Sequence, residues 1–208
     1  MGYLIFIRHG ETDWNRQKRF QGGRSDTPLN FRGLLQAEMV AAALLREHVS
    51  SVFCSPLVRA VTTAGIIGER LGVPVSVTPF LQELDFGDYE GKYEEDLKRE
   101  YGPSFEEWRS LHYTAAPPNG ESLLIAATRA AQAAELLKAQ AMKGDVAAVA
   151  HQAILMALKA YLTQDYSVSA AKSFKQDNTQ VEFWDAQLNV LVRRVELRGS
   201  FAGRIITG

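Results

Sequence analysis

The sequence predicts an α/β fold: a three-layer α/β/α sandwich with a mostly parallel central sheet and a small, mainly helical cap insertion over roughly residues 85–120. Three observations lead there. Tyr3-Leu-Ile-Phe-Ile7 is an unbroken apolar run, rich in β-branched and aromatic residues, that stops at Arg8-His9-Gly10. Such a run reads as a strand buried on both faces of a parallel sheet. Ser51-Val-Phe-Cys-Ser55, stopping at Pro56, and Val146-Ala-Ala-Val-Ala150, stopping at His151, repeat the pattern. Helically periodic segments separate these runs, as β-α units require.

The elements follow in order. Residues 9–29 are rich in Gly, Asn, Asp and Arg and read as a long functional loop without a regular element. Asn30 is placed to cap a helix whose apolar positions Leu34, Leu35, Met39, Ala42, Ala43 and Leu45 keep helical spacing. A strand at 51–54 leads into a helix from about Leu57 to Leu71, stopped by Gly72 and Pro74. Val75-Ser-Val-Thr78 is a short strand, and the chain then runs through Phe80-Leu-Gln-Glu83. From Tyr89 to about Pro118 charged and aromatic residues predominate, Trp108 and Tyr113 among them, and this stretch reads as two short helices and a loop. Glu121-Ser122 opens an alanine-rich helix reaching about Met142. A strand at 146–150, a helix at 152–162 and two alternating strands near 179–184 and 190–197, joined by the turn residues 185–189, complete the chain.

Length and composition bound the rest. At 208 residues, 46% apolar and 23% charged, the default is one domain over 1–208 with one substantial core. A net charge of −1 and a pI near 6.4 leave no electrostatic footprint for a nucleic-acid partner. No apolar run approaches the ~20 residues of a membrane span, and the N-terminal run is too short and ends in charge, unlike a signal peptide. The single cysteine, Cys54, lies in a strand pattern and fits a reducing cytoplasm. The four histidines are scattered, so no metal is implied, and His48 and His112 read as exposed.

The strand ends carry the chemistry. In open α/β sheets ligands sit beyond the carboxyl ends of the strands. Three such ends deliver Arg8 and His9, then Arg59 about a turn into a helix, then His151. Alone, Arg59 reads as a helix-surface charge and His151 as a core histidine. If the strands are parallel neighbours, two cations and two imidazoles converge, and that makes an anion site best suited to a phosphoryl group.

These residues resemble the histidine phosphatase superfamily, also called phosphoglycerate mutase-like. The resemblance runs in order through Arg8-His9-Gly10-Glu11, Asn15, Gln21-Gly22, Asp26, Pro28-Leu29, Gly33, Ser55-Pro-Leu-x-Arg59-Ala, Thr63-Ala64, Glu83, Phe86-Gly87, Tyr89-Glu-Gly91, Gly120-Glu-Ser122 and His151. It implies hydrolysis of a small phosphorylated metabolite without a cofactor. His9 would be the nucleophile that forms a phosphohistidine and Glu83 the acid. Arg8, Arg59 and His151 would hold the phosphoryl oxygens, with Asn15, Gln21, Gly22 and Gln152 in the binding site. Glu11, Asp85, Asp88 and Glu90 are rival carboxylates.

Leu84-Asp85-Phe86-Gly87 stands where mutases of the family carry an Arg and a Tyr-Gly, and the chain lacks their longer basic insertion. This favours the phosphatase branch over a cofactor-dependent phosphoglycerate mutase. A catalytically silent anion-binding module is the non-enzymatic alternative. Gln152-Ala153 replaces the glycines common after the second histidine and suggests an amide aimed into the pocket. The sequence sets neither the oligomeric state nor the substrate, which depends on side chains such as Phe20, Phe86, Trp108 and Gln152.

Overall fold

The computed structural model describes residues 2–195. The chain runs β1 (Tyr3–Arg8), α1 (Asp13–Arg16), α2 (Phe31–Leu44), β2 (Val49–Cys54), α3 (Val58–Leu71), β3 (Val75–Val77), α4 (Glu94–Tyr101), α5 (Pro103–Arg109), α6 (Leu123–Ala141), β4 (Asp145–Ala150), α7 (Gln152–Thr163), α8 (Val168–Ser173), β5 (Val181–Asp185) and β6 (Val190–Val195). Short 3-10 turns at Pro79–Leu81 and Gly87–Tyr89 flank Glu83. Strand order is β3-β2-β4-β1-β5-β6. The first four strands are parallel, and β5 and β6 are antiparallel to their neighbours.

Burial on both faces explains the unbroken apolar runs. Leu4 and Phe6 of β1, with Val146 and Ala148 of β4, pack under α6, α7 and α8. Ile5, Ile7, Ala147 and Val149 face α2 and α3. Alternate residues of one strand therefore serve two cores, and each large apolar side chain so buried contributes on the order of 1.5–3 kcal/mol. Alanines in β4 let both helical layers approach. The expected three layers are present.

Two expectations need correction. In α2 the residues turned inward are Gly33, Ala37, Val40, Ala41 and Leu44, whereas Leu34, Leu35 and Leu45 are 40%, 50% and 51% exposed. Both stripes keep helical spacing, but the small residues allow the closer approach. A Cβ at Gly33 would lie 2.1 Å from the Glu11 carbonyl oxygen. The 9–29 loop, expected to be irregular, contains α1, closed by a capping box between Thr12 and Asn15. Asn30 does cap α2, accepting from Gly33 N at 2.8 Å. The last strand was expected to reach 197, and residues 196–197 lie outside those described.

The stretch between β3 and α6 builds a small core of its own. Tyr89, Leu97 and Phe105 are buried there against Phe20, Phe86, Tyr101 and Trp108, with Trp108 in edge contact with Phe20, Phe86 and Tyr89.

Helix propensity alone makes Gly33→Ala stabilising by ~1 kcal/mol. The clash with the loop backbone reverses the sign, because overpacking costs about 1–3 kcal/mol. Thermal denaturation should show Tm lowered by several degrees.

Candidate active site

Register brings the site together. Because β1, β4 and β2 are parallel and aligned, with Arg8 opposite Ala150 and Cys54 opposite Val149, the residues after them leave the sheet at one edge. His9 N donates to Ala150 O at 3.0 Å and Ser55 N to Val149 O at 3.1 Å. The His9 and His151 rings lie 5.0 Å apart, centroid to centroid.

His9 is buried, and its Nδ1 lies 2.7 Å from the Gly10 carbonyl oxygen. A carbonyl only accepts, so Nδ1 carries the proton and Nε2 keeps its lone pair. Burial holds the His9 pKa well below the usual imidazole range, and the charges of Arg59 and Arg8 push the same way, against the Gly10 bond.

Arg59, in the first turn of α3, is 0% exposed. Its Nη1 donates to Ser25 O (2.7 Å), its Nη2 to Gly22 O (3.1 Å) and its Nε to His151 Nδ1 (3.2 Å). Gln21, with its amide oxygen turned to this guanidinium, accepts from Nη1 and Nε at 3.0 Å and donates to Thr12 Oγ1 at 2.7 Å. Desolvation lowers the Arg59 pKa to about 10. Thr63, one turn along α3, donates to Arg59 O and accepts from Gly10 N, while Asp26 accepts from Val58 N at 2.6 Å at the start of the helix. His151 accepts from Arg59 through Nδ1, so its Nε2 carries the proton and faces Ser55 Oγ at 2.7 Å. Burial, then Arg59, His9 and Arg8, keep it neutral, well below the usual range.

Arg8 donates through Nη1 to Gln152 Oε1 (3.0 Å) and Gln176 O (2.9 Å), while its buried Nε has no partner among the described residues. Burial lowers its pKa.

Glu83 sits at the N-terminus of α7. Oε1 accepts from Leu84 N and Ile154 N, both at 3.0 Å, and Oε2 from Ala153 N at 3.2 Å. It caps the helix in place of His151, which makes no capping bond. Desolvation nevertheless raises its pKa, outweighing the three amides and Arg59. The rival carboxylates are engaged elsewhere: Glu11 with Asn30, Asp85 with Arg24, Asp88 with Asn119 and Glu90 with Ser25.

An open cleft of about 830 Å³, counting its mouth, has Arg8, Asn15, Gln21, Glu83 and Gln152 among its lining residues. Phe20, Phe86, Trp108, Leu111, Leu123 and Met156 form apolar walls, and Arg19, Arg109, His112 and Lys175 also line it. All four side chains expected to select the substrate therefore border the cleft. Gln21 and Gly22 contact Arg59, and Gln152 holds Arg8. His48 is exposed, as is His112, though His112 still borders the cleft.

The 174–180 loop was not foreseen. Asn178 Nδ2 donates to His9 O (2.9 Å) and Asn15 Oδ1 (3.2 Å). This loop reaches the site because β5 is antiparallel to β1, so the start of β5 lies beside the end of β1, with Val181 opposite Ile7. Among the described residues no group of three or more His, Cys, Asp and Glu side chains is placed to share a metal ion, and no helix is long and apolar enough to cross a membrane.

Comparison with known proteins adds independent findings. A family model described as the histidine phosphatase superfamily (branch 1) matches residues 4–189. The adenosylcobalamin/alpha-ribazole phosphatase of Salmonella typhimurium is 33% identical over 159 residues, 76% of this chain and 78% of that protein. Phosphoserine phosphatase 1 of Hydrogenobacter thermophilus is 30% identical over 192 residues, 91% of this chain and 90% of that protein. The structure of a mycobacterial glucosyl-3-phosphoglycerate phosphatase complexed with VO3 superposes with a TM-score of 0.81 at 30% identity, covering 89% of this chain and 91% of that one.

The two depressed imidazoles set the sign of a pH effect. Below pH ~6.5 the unfolded chain takes up protons that His9 and His151 refuse in the fold. Stability therefore falls on acidification, by up to ~1.4 kcal/mol per pH unit for each histidine. Denaturant titrations between pH 7 and 5 should show this slope, and His151→Asn should reduce it.

Proposed function

We propose that this chain, which belongs to the histidine phosphatase superfamily, hydrolyses small phosphomonoesters through a phosphohistidine on His9. The observation that carries this reading is the state of His9: neutral, its Nδ1–H locked onto Gly10 and its Nε2 lone pair bare, beside the buried Arg59 and the half-buried Arg8. The phosphatases named above support the general activity.

Arg8, Arg59 and Asn15 hold the non-bridging oxygens, and His151 joins them by turning its Nε2–H from Ser55 to the phosphoryl group. Nε2 of His9 attacks phosphorus in line with the leaving oxygen, forming the N–P bond as the P–O bond to the alcohol breaks. Glu83, protonated, gives its proton to that oxygen. As a carboxylate it then takes a proton from water, whose oxygen attacks phosphorus and releases inorganic phosphate and neutral His9. A raised carboxyl pKa favours the first half of the cycle. The stretch carrying α4 and α5 acts as a cap, bringing Phe86 and Trp108 over the alcohol.

His9→Ala should lower kcat by more than ~10³-fold and abolish an acid-labile phosphoenzyme in rapid-quench labelling. A wild-type rate in this variant refutes the assignment. Glu83→Gln should slow alkyl phosphates by roughly 10²- to 10⁴-fold and p-nitrophenyl phosphate far less, since nitrophenolate leaves without a proton. Equal losses on both substrates would deny Glu83 the acid role. A mutase would instead require a bisphosphorylated cofactor for turnover.

A further inference from the structure

The cleft carries more positive charge than a phosphoryl group needs. Apart from Glu83, its lining has no carboxylate, yet besides Arg8 it has Arg19, Arg109, His112 and Lys175. One of these is accounted for within the protein. Arg19 donates through Nε to Gly91 O at 2.6 Å, with its guanidinium 4.5 Å over the Trp14 ring, and so forms part of the wall. His112 is exposed to solvent.

Lys175 differs. It comes from the 174–180 loop, is only partly exposed, and makes no hydrogen bond or ion pair among the described residues. Burial lowers its pKa, and so do the charges of Arg109 and Lys172, against the weaker pull of Glu94. Arg109, from the end of α5, meets Glu94 only at 3.4 Å through both Nε and Nη2, while Glu94 is shared with Lys98 at 2.9 Å. Two cations from separate elements thus border one cleft without a full complement of negative charge. Such an arrangement repels itself until an anion arrives.

Resting on the phosphatase reading above, we propose that Lys175 and Arg109 bind a second anionic group on the alcohol portion of the substrate, so that the preferred substrates are phosphomonoesters bearing a carboxylate or a further phosphate. The apolar residues that line the same cleft, Phe86, Trp108, Leu123 and Met156, accept the carbon skeleton that joins the two anionic ends. Lys175 and Arg109 select the substrate and take no part in the bond changes at phosphorus.

Matched esters test this. O-phosphoserine and phosphoethanolamine differ by one carboxylate, and propane-1,3-diol bisphosphate and monophosphate differ by one phosphate, so the two pairs separate the two sources of charge. The wild-type enzyme should favour the more anionic member of at least one pair in kcat/KM by roughly 10- to 100-fold, the range of one or two charge-assisted hydrogen bonds. Lys175→Gln and Arg109→Gln should each shrink that ratio toward one, mainly through KM, and added salt should shrink it in the wild type. A wild-type ratio near one for both pairs, or a ratio that both variants leave unchanged, overturns the inference while p-nitrophenyl phosphate turnover keeps the phosphatase reading. Absence of turnover on every ester, with no phosphoenzyme, overturns both.

Discussion

The arrangement depends on holding a buried guanidinium, a half-buried one and two buried imidazoles together, with Glu83 the one buried carboxylate among them. Like charges at such distances repel strongly once water is excluded, and a buried cation left unpaired is costly. The fold meets this with neutral partners. Ser25 and Gly22 offer carbonyls to Arg59, Gln176 offers one to Arg8, and the Gln21 and Gln152 amides add their oxygens. Dipoles hold the guanidiniums in place without cancelling their charge, and both imidazoles answer the resulting potential by staying neutral. A carboxylate in place of any of these dipoles would neutralise the charge that the proposed chemistry aims at phosphate.

This requirement explains why so much of the motif is backbone geometry. Gly22 must place its carbonyl on Arg59 while passing under Leu84, Phe86 and Glu90, where a Cβ would lie 2.4 Å from Glu90 Oε1 and 2.8 Å from Leu84 O. Gly33 lets α2 touch the loop at Glu11, and that loop leads from His9 to Asn15. Asp26 caps the helix that carries Arg59. The motif residues around the site are therefore chiefly supports, and the groups facing the cleft are few.

That division also decides what was legible in the sequence. Residues at the ends of parallel strands could be placed together because parallel register is a strong constraint, and so Arg8, His9, Arg59 and His151 were found from three apolar runs. Glu83 needed the resemblance, since by pattern alone it did not stand apart from its rival carboxylates. The inward face of α2 was misjudged because two apolar stripes share one period and only packing against the 9–29 loop chooses between them. Gln176 and Asn178 lie in a loop with no motif. They reach the site through the antiparallel placement of β5, which no local pattern encodes.

The acid and base roles proposed for Glu83 ask one static environment to serve two uses. Three amide donors favour its ionised form, and two of them belong to the N-terminus of α7, whose dipole adds to the effect. Burial favours the neutral form, is the largest of the opposing influences and prevails. A group held between opposing influences responds to the next charge that enters. In the proposed cycle a phosphoryl dianion between Arg8 and Arg59 would offset the cations that help to ionise Glu83, and so would strengthen the hold on the proton that the leaving alcohol needs. Departure of the alcohol and proton would leave a carboxylate already supplied with three donors, ready to accept a proton from water. On that proposal the same contacts serve donation and acceptance in turn, and the occupancy of the cleft selects between them.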